Sequence, residues 1–341
     1  MRFSEVLEIK NGKNQRQVEN PNGKYPIYGS GGVMGHADDY LCEAETVVIG
    51  RKGSINNPIF VEEPFWNVDT AFGLVANKDL LLPKYLYYFC INFNFEALNT
   101  TVTIPSLTKA NLLQIEINIP SIAEQSDVVS KLDKIGNLIE LRKQQLEELD
   151  QLVKSRFIEL FGDPITNERK WQTLVWSNVL KIRNGRNQKA VENPNGQYPI
   201  CGSGGIMGFA DEYITEKNSV IIGRKGNINK PILMRERFWN VDTAFGLEPN
   251  EQILSVDYLF FYCLFFDFEQ MNKAVTIPSL TKADLQNIVM PVPPIELQNQ
   301  FSAFVEQVDK SKYYIDNYLQ SLDKCSLKRG ERQWKNICLT L

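Results

Sequence analysis

One stretch of this chain occurs twice. Residues 11–125 recur at 184–298 with a constant offset of 173 residues, and residues 65–74 return unchanged as 238–247. A repeat this long is a duplicated domain, because the repeats of solenoid proteins are only about 20–50 residues long. A chain with two copies of one domain is expected to recognise something that is itself repeated.

The composition bounds the class of protein. With 341 residues, 43% hydrophobic and 23% charged, the chain predicts an ordinary folded protein of two or three domains. No apolar run approaches the roughly 18 residues needed to cross a bilayer, and residues 1–8 lack a secretory signal core. The cysteines lack zinc-ligand spacing, and Cys90 and Cys263 are equivalent in the two copies, so we expect buried thiols and a reducing cytoplasm.

Each copy is predicted to be a mixed, turn-rich domain, which places the chain in the α+β class. Turns are expected at 20–23, 29–32 and 193–196, where Asn-Gly suits positive φ and Gly-Gly adds flexibility. Short apolar strands are expected at 46–49 and 219–222, each ending at a Gly-Arg-Lys-Gly loop. Buried helices are expected at 83–92 and 256–265, although a strand is not excluded by periodicity alone. Alternating apolar residues at 115–119 and 288–292 predict one strand that closes each copy.

A long helix is predicted to follow each copy. Ser121 and Glu124 form a capping-box pattern, and the helix is expected to end at Gly162 and Pro164, about 39 residues or roughly 58 Å later. Its apolar seam has heptad spacing, with Arg142 and Arg156 in the remaining core positions. The seam residues are Leu132, Ile135, Ile139, Leu146, Leu149, Val153 and Leu160, and in the second helix Phe301, Val305, Val308, Ile315, Leu319 and Leu322.

A helix with so narrow an apolar seam is not stable alone. We expect the two helices to pair antiparallel as a coiled coil and to hold the two globular copies apart. The second seam is less regular, because Lys312 occupies the place of Ile139. The alternative is that each helix folds back onto its own domain.

Motifs for catalysis do not stand out. The single histidine, His36, is replaced by Phe209 in the second copy, so we expect a surface or packing role for it. No phosphate-binding glycine loop and no dinucleotide-binding fingerprint are found, and Asp163-Pro164-Ile165-Thr166 is an incomplete match to an amino-methyltransferase pocket. The repeated Asp69 and Asp242 stand in an apolar, aromatic run, so we expect hydrogen-bonded core groups rather than catalytic carboxylates.

The recurring chemistry is a set of basic and polar loop residues. The net charge of −4 argues on average against a nucleic-acid binder, but local basic loops can serve where the mean does not. Lys and Arg neutralise phosphates, Arg reads guanine edges and Asn or Gln reads adenine. The candidate DNA-binding residues are Lys13, Asn14, Arg16, Tyr25, Arg51, Lys52, Asn56 and Lys109 in copy one, and Arg186, Asn187, Lys189, Tyr198, Arg224, Lys225, Asn229 and Lys282 in copy two.

The order of these parts resembles a known family. A domain with a Gly-Arg-Lys-Gly loop closes at Ile-Asn-Ile-Pro-Ser-Ile-Ala-Glu-Gln (117–125) or Met-Pro-Val-Pro-Pro-Ile-Glu-Leu-Gln (290–298). A heptad helix follows, then Lys-Ser-Arg-Phe-Ile-Glu-Leu-Phe-Gly-Asp-Pro (154–164), and the set begins again. The chain is therefore similar to the specificity subunits of type I DNA restriction–modification systems, over nearly its whole length.

The resemblance implies a domain layout and a set of partners. It predicts target-recognition domains at 1–120 and 163–293, long spacer helices at 121–162 and 294–329, and a divergent tail at 330–341. Each domain would read one half of a split double-stranded DNA target, and the helices would set the unread gap. The subunit would have no catalysis, metal or cofactor of its own. It would dock two modification subunits, which use S-adenosylmethionine, and the restriction subunits, with no membrane partner.

Two departures from the family pattern matter. The two recognition domains of this family usually differ, whereas here they are nearly the same, so an antiparallel helix pair with pseudo-twofold symmetry predicts a palindromic or near-palindromic target. Half-site differences would arise where the copies differ: Tyr28/Cys201, His36/Phe209, Ser54/Asn227, Asn57/Lys230, Glu62/Arg235 and Pro64/Arg237. The second departure is the tail from Glu331, which does not match the first copy and leaves docking at that end open.

Three alternatives to this reading remain. A self-sufficient methyltransferase or nuclease is opposed by the missing cofactor and metal motifs. A two-module protein-binding adaptor without DNA specificity would not need the Gly-Arg-Lys-Gly loops. A transcription regulator would be expected to show a helix-turn-helix signature.

Overall fold

The computed structural model describes residues 1–99, 106–271 and 279–326, with side chains described as far as Leu322. Clustering of contacts divides the chain into two compact units. One comprises residues 1–141 with the residues from 319 onward, and the other comprises residues 142–318. Each unit contains one copy of the repeated domain. The divergent tail, 330–341, and parts of the repeated run at 103–105 and 276–278 lie outside the described residues.

The first copy is built from two small sheets and short helices. Its elements are α1 (Phe3–Val6), β1 (Leu7–Asn11), β2 (Tyr25–Gly29), β3 (Gly32–Ala37), β4 (Thr46–Gly50), β5 (Ile59–Val61), β6 (Trp66–Asn67), β7 (Ala71–Ala76), α2 (Pro83–Asn92) and α3 (Lys109–Leu113), with a 3₁₀ turn at Phe95–Leu98. The larger sheet has the antiparallel order β1-β7-β4-β5. The smaller sheet has the order β3-β2-β6, in which β2 pairs with β6 in parallel. The α+β class is therefore confirmed.

The long helix α4 (Ile122–Phe161) leads to the second copy, which repeats the arrangement. Its elements are β8 (Thr173–Val175), α5 (Trp176–Val179), β9 (Leu180–Asn184), β10 (Tyr198–Gly202), β11 (Gly205–Ala210), β12 (Ser219–Gly223), β13 (Ile232–Met234), β14 (Trp239–Asn240), β15 (Ala244–Pro249), α6 (Val256–Phe265), α7 (Lys282–Gln286), β16 (Val289–Pro291) and α8 (Ile295–Ser326), with a 3₁₀ turn at Phe268–Met271. The sheet orders are β13-β12-β15-β9 and β11-β10-β14.

The core of each copy lies between the larger sheet and its helices. In the first unit Phe3, Ile9, Val47, Phe72 and Leu86 belong to one buried cluster. The equivalent positions of the second unit are buried in the same way, since the hydrophobic effect rewards the removal of this apolar surface from water. The predicted strands at 46–49 and 219–222 and the predicted buried helices at 83–92 and 256–265 are confirmed.

Two local predictions differ from the structure. The closing strand exists only in copy two, where β16 pairs with β8, whereas the equivalent contact in copy one is a single bridge between Arg2 and Glu116. The turn at 20–23 is present, but Gly23 does not have positive φ. Gly23 is needed instead for close approach, since a Cβ there would lie 2.4 Å from the carbonyl carbon of Ala37.

The first long helix begins as its sequence predicts, and the predicted seam positions of both helices are shielded from solvent. The Ser121 N–H donates to the Glu124 carboxylate at 2.9 Å, which is the predicted capping box. The predicted seam positions are buried or half-buried along the described parts of both helices, whereas Leu141 and Leu152, outside the seam, are 60% and 48% exposed. The helix α4 ends where predicted, before Gly162, whose φ is +73°.

Within the second unit, residues 142–161 of α4 run antiparallel to residues 295–318 of α8. The rings of Phe157 and Phe301 are 5.4 Å apart at one end, and the Arg142 guanidinium lies 5.8 Å from the Tyr318 ring at the other. Between them Lys312 forms an ion pair with Asp150, so the irregular seam position is filled by a charge pair across the helices. The alternative, in which each helix packs on the domain that it follows, also contributes. The Tyr88 hydroxyl of α2 donates to the Asp133 carboxylate of α4 at 2.6 Å, and the rings of Phe261 in α6 and Phe301 in α8 are 5.2 Å apart.

Candidate nucleic-acid interface

The loop after β6 organises the basic residues of copy one. Its Asn67 carbonyl accepts a hydrogen bond from the Lys13 N–H at 2.8 Å, and its Thr70 carbonyl accepts one from the Arg51 N–H at 2.8 Å. The Trp66 indole donates to the Lys13 carbonyl at 3.0 Å. Two basic loops that are far apart in sequence are therefore held on one short scaffold, which is part of the unchanged run 65–74.

Copy two repeats this arrangement. The Arg186 N–H donates to the Asn240 carbonyl at 3.0 Å, and the Arg224 N–H donates to the Thr243 carbonyl at 2.8 Å. The Trp239 indole donates to the Arg186 carbonyl at 3.0 Å. The unchanged run is thus explained by the backbone contacts it must make. Its role as a scaffold for the loops was missed by the sequence analysis, which saw the run only as aromatic and apolar.

The Gly-Arg-Lys-Gly loops carry their cations at the surface of each copy, although Arg224 is half-buried. Arg51 and Lys52 are exposed, and the Arg51 guanidinium lies 5.7 Å from the centroid of the Phe72 ring. The loop turns at Gly53, whose φ of +80° favours glycine. Its copy-two counterpart, Gly226, has the same φ of +80°, and the Arg224 guanidinium lies 5.8 Å from the Phe245 ring.

A third segment joins the same cluster of loops. The Leu107 N–H donates to the Arg51 carbonyl at 2.9 Å, and Lys52 forms a bridge with Ser106. The Lys109 ammonium donates to the Ile9 carbonyl at 2.7 Å, which holds α3 against β1. In copy two the Leu280 N–H donates to the Arg224 carbonyl at 2.9 Å, and Lys225 forms a bridge with Ser279. We define these contacting segments as the basic loop clusters: residues 12–16, 50–53, 67–70 and 106–109 in copy one, and 185–189, 223–226, 240–243 and 279–282 in copy two.

Other predicted residues lie outside these interactions or already have partners. Tyr25 and Tyr198 begin β2 and β10, at the opposite end of each strand from the glycine hairpin. Their rings contact those of Tyr40 and Tyr213 in tilted pairs, with centroids 4.9 and 5.0 Å apart. The side-chain Oδ1 of Asn56 accepts a hydrogen bond from the Phe95 N–H at 2.7 Å.

The predicted asparagines share this engagement with the backbone. Asn229 accepts from the Phe268 N–H at 2.7 Å, as Asn56 does from Phe95. Asn14 and Asn187 accept from the N–H groups of Arg16 and Lys189, each at 2.9 Å. The side chains of Arg16, Arg186 and Lys189 are exposed, and that of Lys282 is half-buried.

Asp69 and Asp242 are not core groups. Both carboxylates are exposed on the scaffold loops, between buried Val68 or Val241 and the threonines that hold the arginine loops. The expectation that these carboxylates would be buried was wrong. Their apolar neighbours are buried, but the three-residue loop between the strands turns the aspartate side chain outward.

The remaining reactive groups are buried or dispersed. Burial raises the pKa of the Cys42 thiol to about 11 and that of Cys201 to about 12, and it also raises the pKa values of Cys90 and Cys263. These thiols therefore stay protonated near neutral pH. Among the described residues, no group of three or more His, Cys, Asp or Glu side chains could hold a metal ion. In the same part of the chain, no helix is both long and apolar enough to cross a membrane.

The repeated loops and paired helices agree with one known family. A family model described as the type I restriction modification DNA specificity domain matches residues 1–151 and 168–321, which include both copies. The chain belongs to this family. Its relatives are specificity subunits, a non-catalytic class of component in type I restriction–modification systems.

Individual relatives cover most of the chain. A Haemophilus influenzae protein assigned as a type I restriction enzyme specificity subunit is 22% identical over 335 residues, covering 91% of this chain and 86% of that protein. A type I restriction enzyme specificity subunit of Methanocaldococcus jannaschii is 23% identical over 302 residues, covering 76% of this chain and 68% of that protein.

Solved structures show the same fold. The S subunit of a type I restriction–modification system from M. genitalium aligns with a TM-score of 0.66 at 20% identity, covering 96% of this chain and 93% of that chain. A chain from a study of complex assembly and conformational transition of the type I system aligns with a TM-score of 0.62 at 16% identity, covering 96% and 94%. The specificity-subunit architecture is therefore shown at the level of the fold.

Proposed function

We propose that this chain is the DNA-reading subunit of a type I restriction–modification complex, and that each copy reads one half of a split target. The observation that carries the proposal is the repeated basic loop cluster. In both copies the same scaffold loop holds one basic loop near the start of the domain and the Gly-Arg-Lys-Gly loop. Two copies of one reader are suited to two copies of one half-site.

The chemistry of the clusters suits a DNA surface. Arg51, Lys52, Arg224 and Lys225 project from loops whose flanking glycines permit close approach to a phosphate backbone. Arginine can also read guanine in the major groove through two hydrogen bonds. The acidic mean charge of the chain does not oppose this function, because local fields are set by nearby groups and are screened over about 10 Å at 0.1 M salt.

The near identity of the copies supports a near-palindromic target. The paired segments of α4 and α8 run antiparallel within the second unit, and an antiparallel pair has a twofold axis across it. Readers attached to such a pair would meet two inverted half-sites. We propose the domain boundaries at 120, 162, 293 and 329, with the helices setting the unread gap.

The helix surfaces are proposed to serve assembly. The seam residues from Leu132 to Val153 and from Val305 to Leu322 pair the helices, and the outer faces would dock two modification subunits and the restriction subunits. S-adenosylmethionine would be bound by the modification subunits, and the complex would act in the cytoplasm. These partner assignments follow from the family and are not read from residues of this chain.

The arginine loops provide the direct test. The variant Arg51→Ala with Arg224→Ala should weaken binding of the full chain with its modification subunit to target DNA by more than about tenfold, because each arginine contributes a charge-assisted contact. Lys181→Ala, an exposed charge near the start of β9 and outside both the basic loop cluster and the long helices, is the matched control. Retained affinity in the double variant would favour a protein-binding adaptor instead.

The target itself is accessible from the methylation pattern of a host. We expect methyladenine at a split, near-palindromic motif when the chain is expressed with the neighbouring modification subunit. The motif should disappear when the chain is omitted. Methylation that does not depend on the chain would overturn the proposed function, and a motif with two unrelated halves would overturn its symmetry.

A further inference from the structure

Each copy exposes a pair of consecutive apolar side chains on a hairpin. Val33 and Met34 are 57% and 62% exposed, and their counterparts Ile206 and Met207 are 60% and 63% exposed. Single exposed apolar residues are common on proteins, but here the same pair is exposed at the same place twice. We call residues 29–34 and 202–207 the hairpin tips.

A β-bulge explains why two neighbours point to solvent together. In copy one, Ile27 pairs with Gly35 and the next residue, Tyr28, pairs with Val33, so Met34 is the extra residue of β3. The register shifts at the equivalent step in copy two, which makes Met207 the extra residue of β11. Strand side chains normally alternate between faces, and a bulge re-aims one of them.

Each methionine side chain packs against the opposite strand of its hairpin. The Met34 sulfur lies across the hairpin over Gly29, where a Cβ would be only 2.5 Å from it. The Met207 sulfur lies over Gly202 in the same way, with a corresponding distance of 2.9 Å. Next to each glycine is a scaffold valine, since the same Cβ positions would be 3.4 Å from Val68 and 3.3 Å from Val241. The hairpin tips thus adjoin the loops that hold the arginines.

The tip of copy one also meets the Gly-Arg-Lys-Gly loop directly. A Cβ at Gly50 would be 3.0 Å from the Cβ of Ser30, which is at the turn of the hairpin. The apolar pair of copy one therefore adjoins a cationic loop. A binding partner for this surface needs negative charges that flank small apolar groups.

We propose that the hairpin tips enter the major groove of DNA and contact thymine methyl groups through these apolar pairs. The proposal rests on the proposed function and names part of what each copy reads. A two-stranded β-ribbon fits the major groove, and the C5-methyl of thymine is the apolar group that base pairs present there. The phosphates that flank the groove supply the negative charges for Arg51 and Lys52.

The consequence for specificity is that each half-site contains a thymine read by shape and apolar contact. The two tips differ only in Val33 against Ile206, so they should read the same base at equivalent positions. The hydrogen-bonding residues of the clusters would then read neighbouring bases.

The test replaces the methyl group and the residues that meet it. The full chain is purified with its modification subunit, and affinity is measured for duplexes of the methylation motif in which each thymine is replaced in turn by deoxyuridine. A quadruple variant carries Val33→Ser, Met34→Gln, Ile206→Ser and Met207→Gln, which remove the side-chain methyl groups and leave polar ends. Ile91→Ser, at an exposed apolar residue on α2, is the control for the chemical change.

In each half-site, one thymine should be sensitive to the replacement. Removing its methyl group should weaken binding by the wild-type complex about fourfold. The quadruple variant should bind thymine and deoxyuridine duplexes equally, and the control should discriminate as the wild type does. The proposal is overturned by insensitivity of the wild type to every deoxyuridine, or by a variant that keeps the thymine preference. If no split motif is bound or methylated at all, it is the proposed function that fails.

Discussion

Asn67 and Asn240 occupy the same buried position beneath the scaffold loops, but their hydrogen bonding differs. The side-chain Oδ1 of Asn240 accepts a hydrogen bond from the Thr215 hydroxyl at 2.8 Å. In copy one Cys42 takes the place of Thr215, and the side-chain Oδ1 of Asn67 is buried without a hydrogen-bond partner among the described residues. A buried acceptor left unpaired costs free energy, because its bond to water is lost without replacement.

We therefore expect Cys42→Thr to stabilise copy one. The new hydroxyl would reach Asn67 as Thr215 reaches Asn240, raising the free energy of unfolding by about 1 kcal/mol. The matched change, Thr215→Cys, should lower the stability of copy two by a similar amount. Denaturant titration monitored by tryptophan fluorescence would show both effects, and equal stabilities of all three proteins would contradict the hydrogen-bond argument.

Gly12 is a second residue whose identity is set by close backbone approach. A Cβ there would be 1.7 Å from the Val68 carbonyl oxygen, and the same holds for Gly185, at 1.8 Å from the Val241 oxygen. The variant Gly12→Ala must displace the scaffold loop, so we expect it to lower the stability by about 1–3 kcal/mol and to weaken DNA binding. Gly31→Ala, which meets no atom within 4 Å, should be nearly neutral in thermal melting; a loss as large as that of Gly12→Ala would refute the steric explanation.

At the scale of elements, one ion pair has its positive and negative residues exchanged between the two copies. In copy one the Glu62 carboxylate lies 3.9 Å from the Lys84 ammonium at the start of α2. In copy two Arg235 takes the place of Glu62 and Asp257 that of Lys84, with 2.5 Å between their charged groups. Arg237, which replaces Pro64, likewise pairs with Glu216 at 2.9 Å. These substitutions therefore have partners inside the chain, which gives them a structural reason independent of any half-site difference.

The reversed pair predicts a charge-swap rescue. Arg235→Glu would place a second carboxylate beside Asp257, whose side chain is 5% exposed, and should lower the free energy of unfolding by about 1–3 kcal/mol. Adding Asp257→Lys would restore the arrangement of copy one and should recover most of that loss. In copy one Glu62→Arg should cost less, because Lys84 also has Asp133 at 3.2 Å. Additive losses in the double variant, measured by chemical denaturation, would exclude the pairing.

At the scale of the whole molecule, the duplication limits how differently the two halves of a target can be read. Of the positions that differ, Cys201 is buried, Tyr28 is half-buried against Phe65, and Arg235 and Arg237 are paired within the chain. Among the six substitutions named in the sequence analysis, the exposed ones are His36/Phe209, Ser54/Asn227 and Asn57/Lys230. Asymmetry that these six substitutions cause in the target should therefore be traced to the three exposed positions.

The corresponding prediction concerns the methylation motif. The triple variant Phe209→His, Asn227→Ser and Lys230→Asn gives copy two the residues of copy one at these three positions, so the half-site difference that they cause should disappear from its motif. Sequencing of methyladenine in a host carrying the variant with its modification subunit measures this. The reverse triple variant in copy one should remove the same difference in favour of the other half-site. Two halves that stay different in both variants would place the asymmetry elsewhere.

Periodicity and exact repetition in the sequence were sufficient to predict much of the fold. The duplicated α+β domains, the buried helices at 83–92 and 256–265, and α4 from its capping box to Gly162 depend on local signals, namely heptad spacing, capping residues and turn residues. Such signals act over a few residues and are written in the chain. Membership of the specificity-subunit family followed from the order of these parts.

Tertiary structure decided where the functional side chains meet. The hydrogen bonds from Lys13 and Arg51 to one scaffold loop join segments far apart in sequence, and no local propensity reports such contacts. Sequence reasoning also placed Asp69 in the core and missed the bulge at Met34, because exposure depends on register and loop geometry. A bulge or a short loop shifts one residue between faces, so burial at these positions is settled by how strands pair and not by the apolar character of their neighbours.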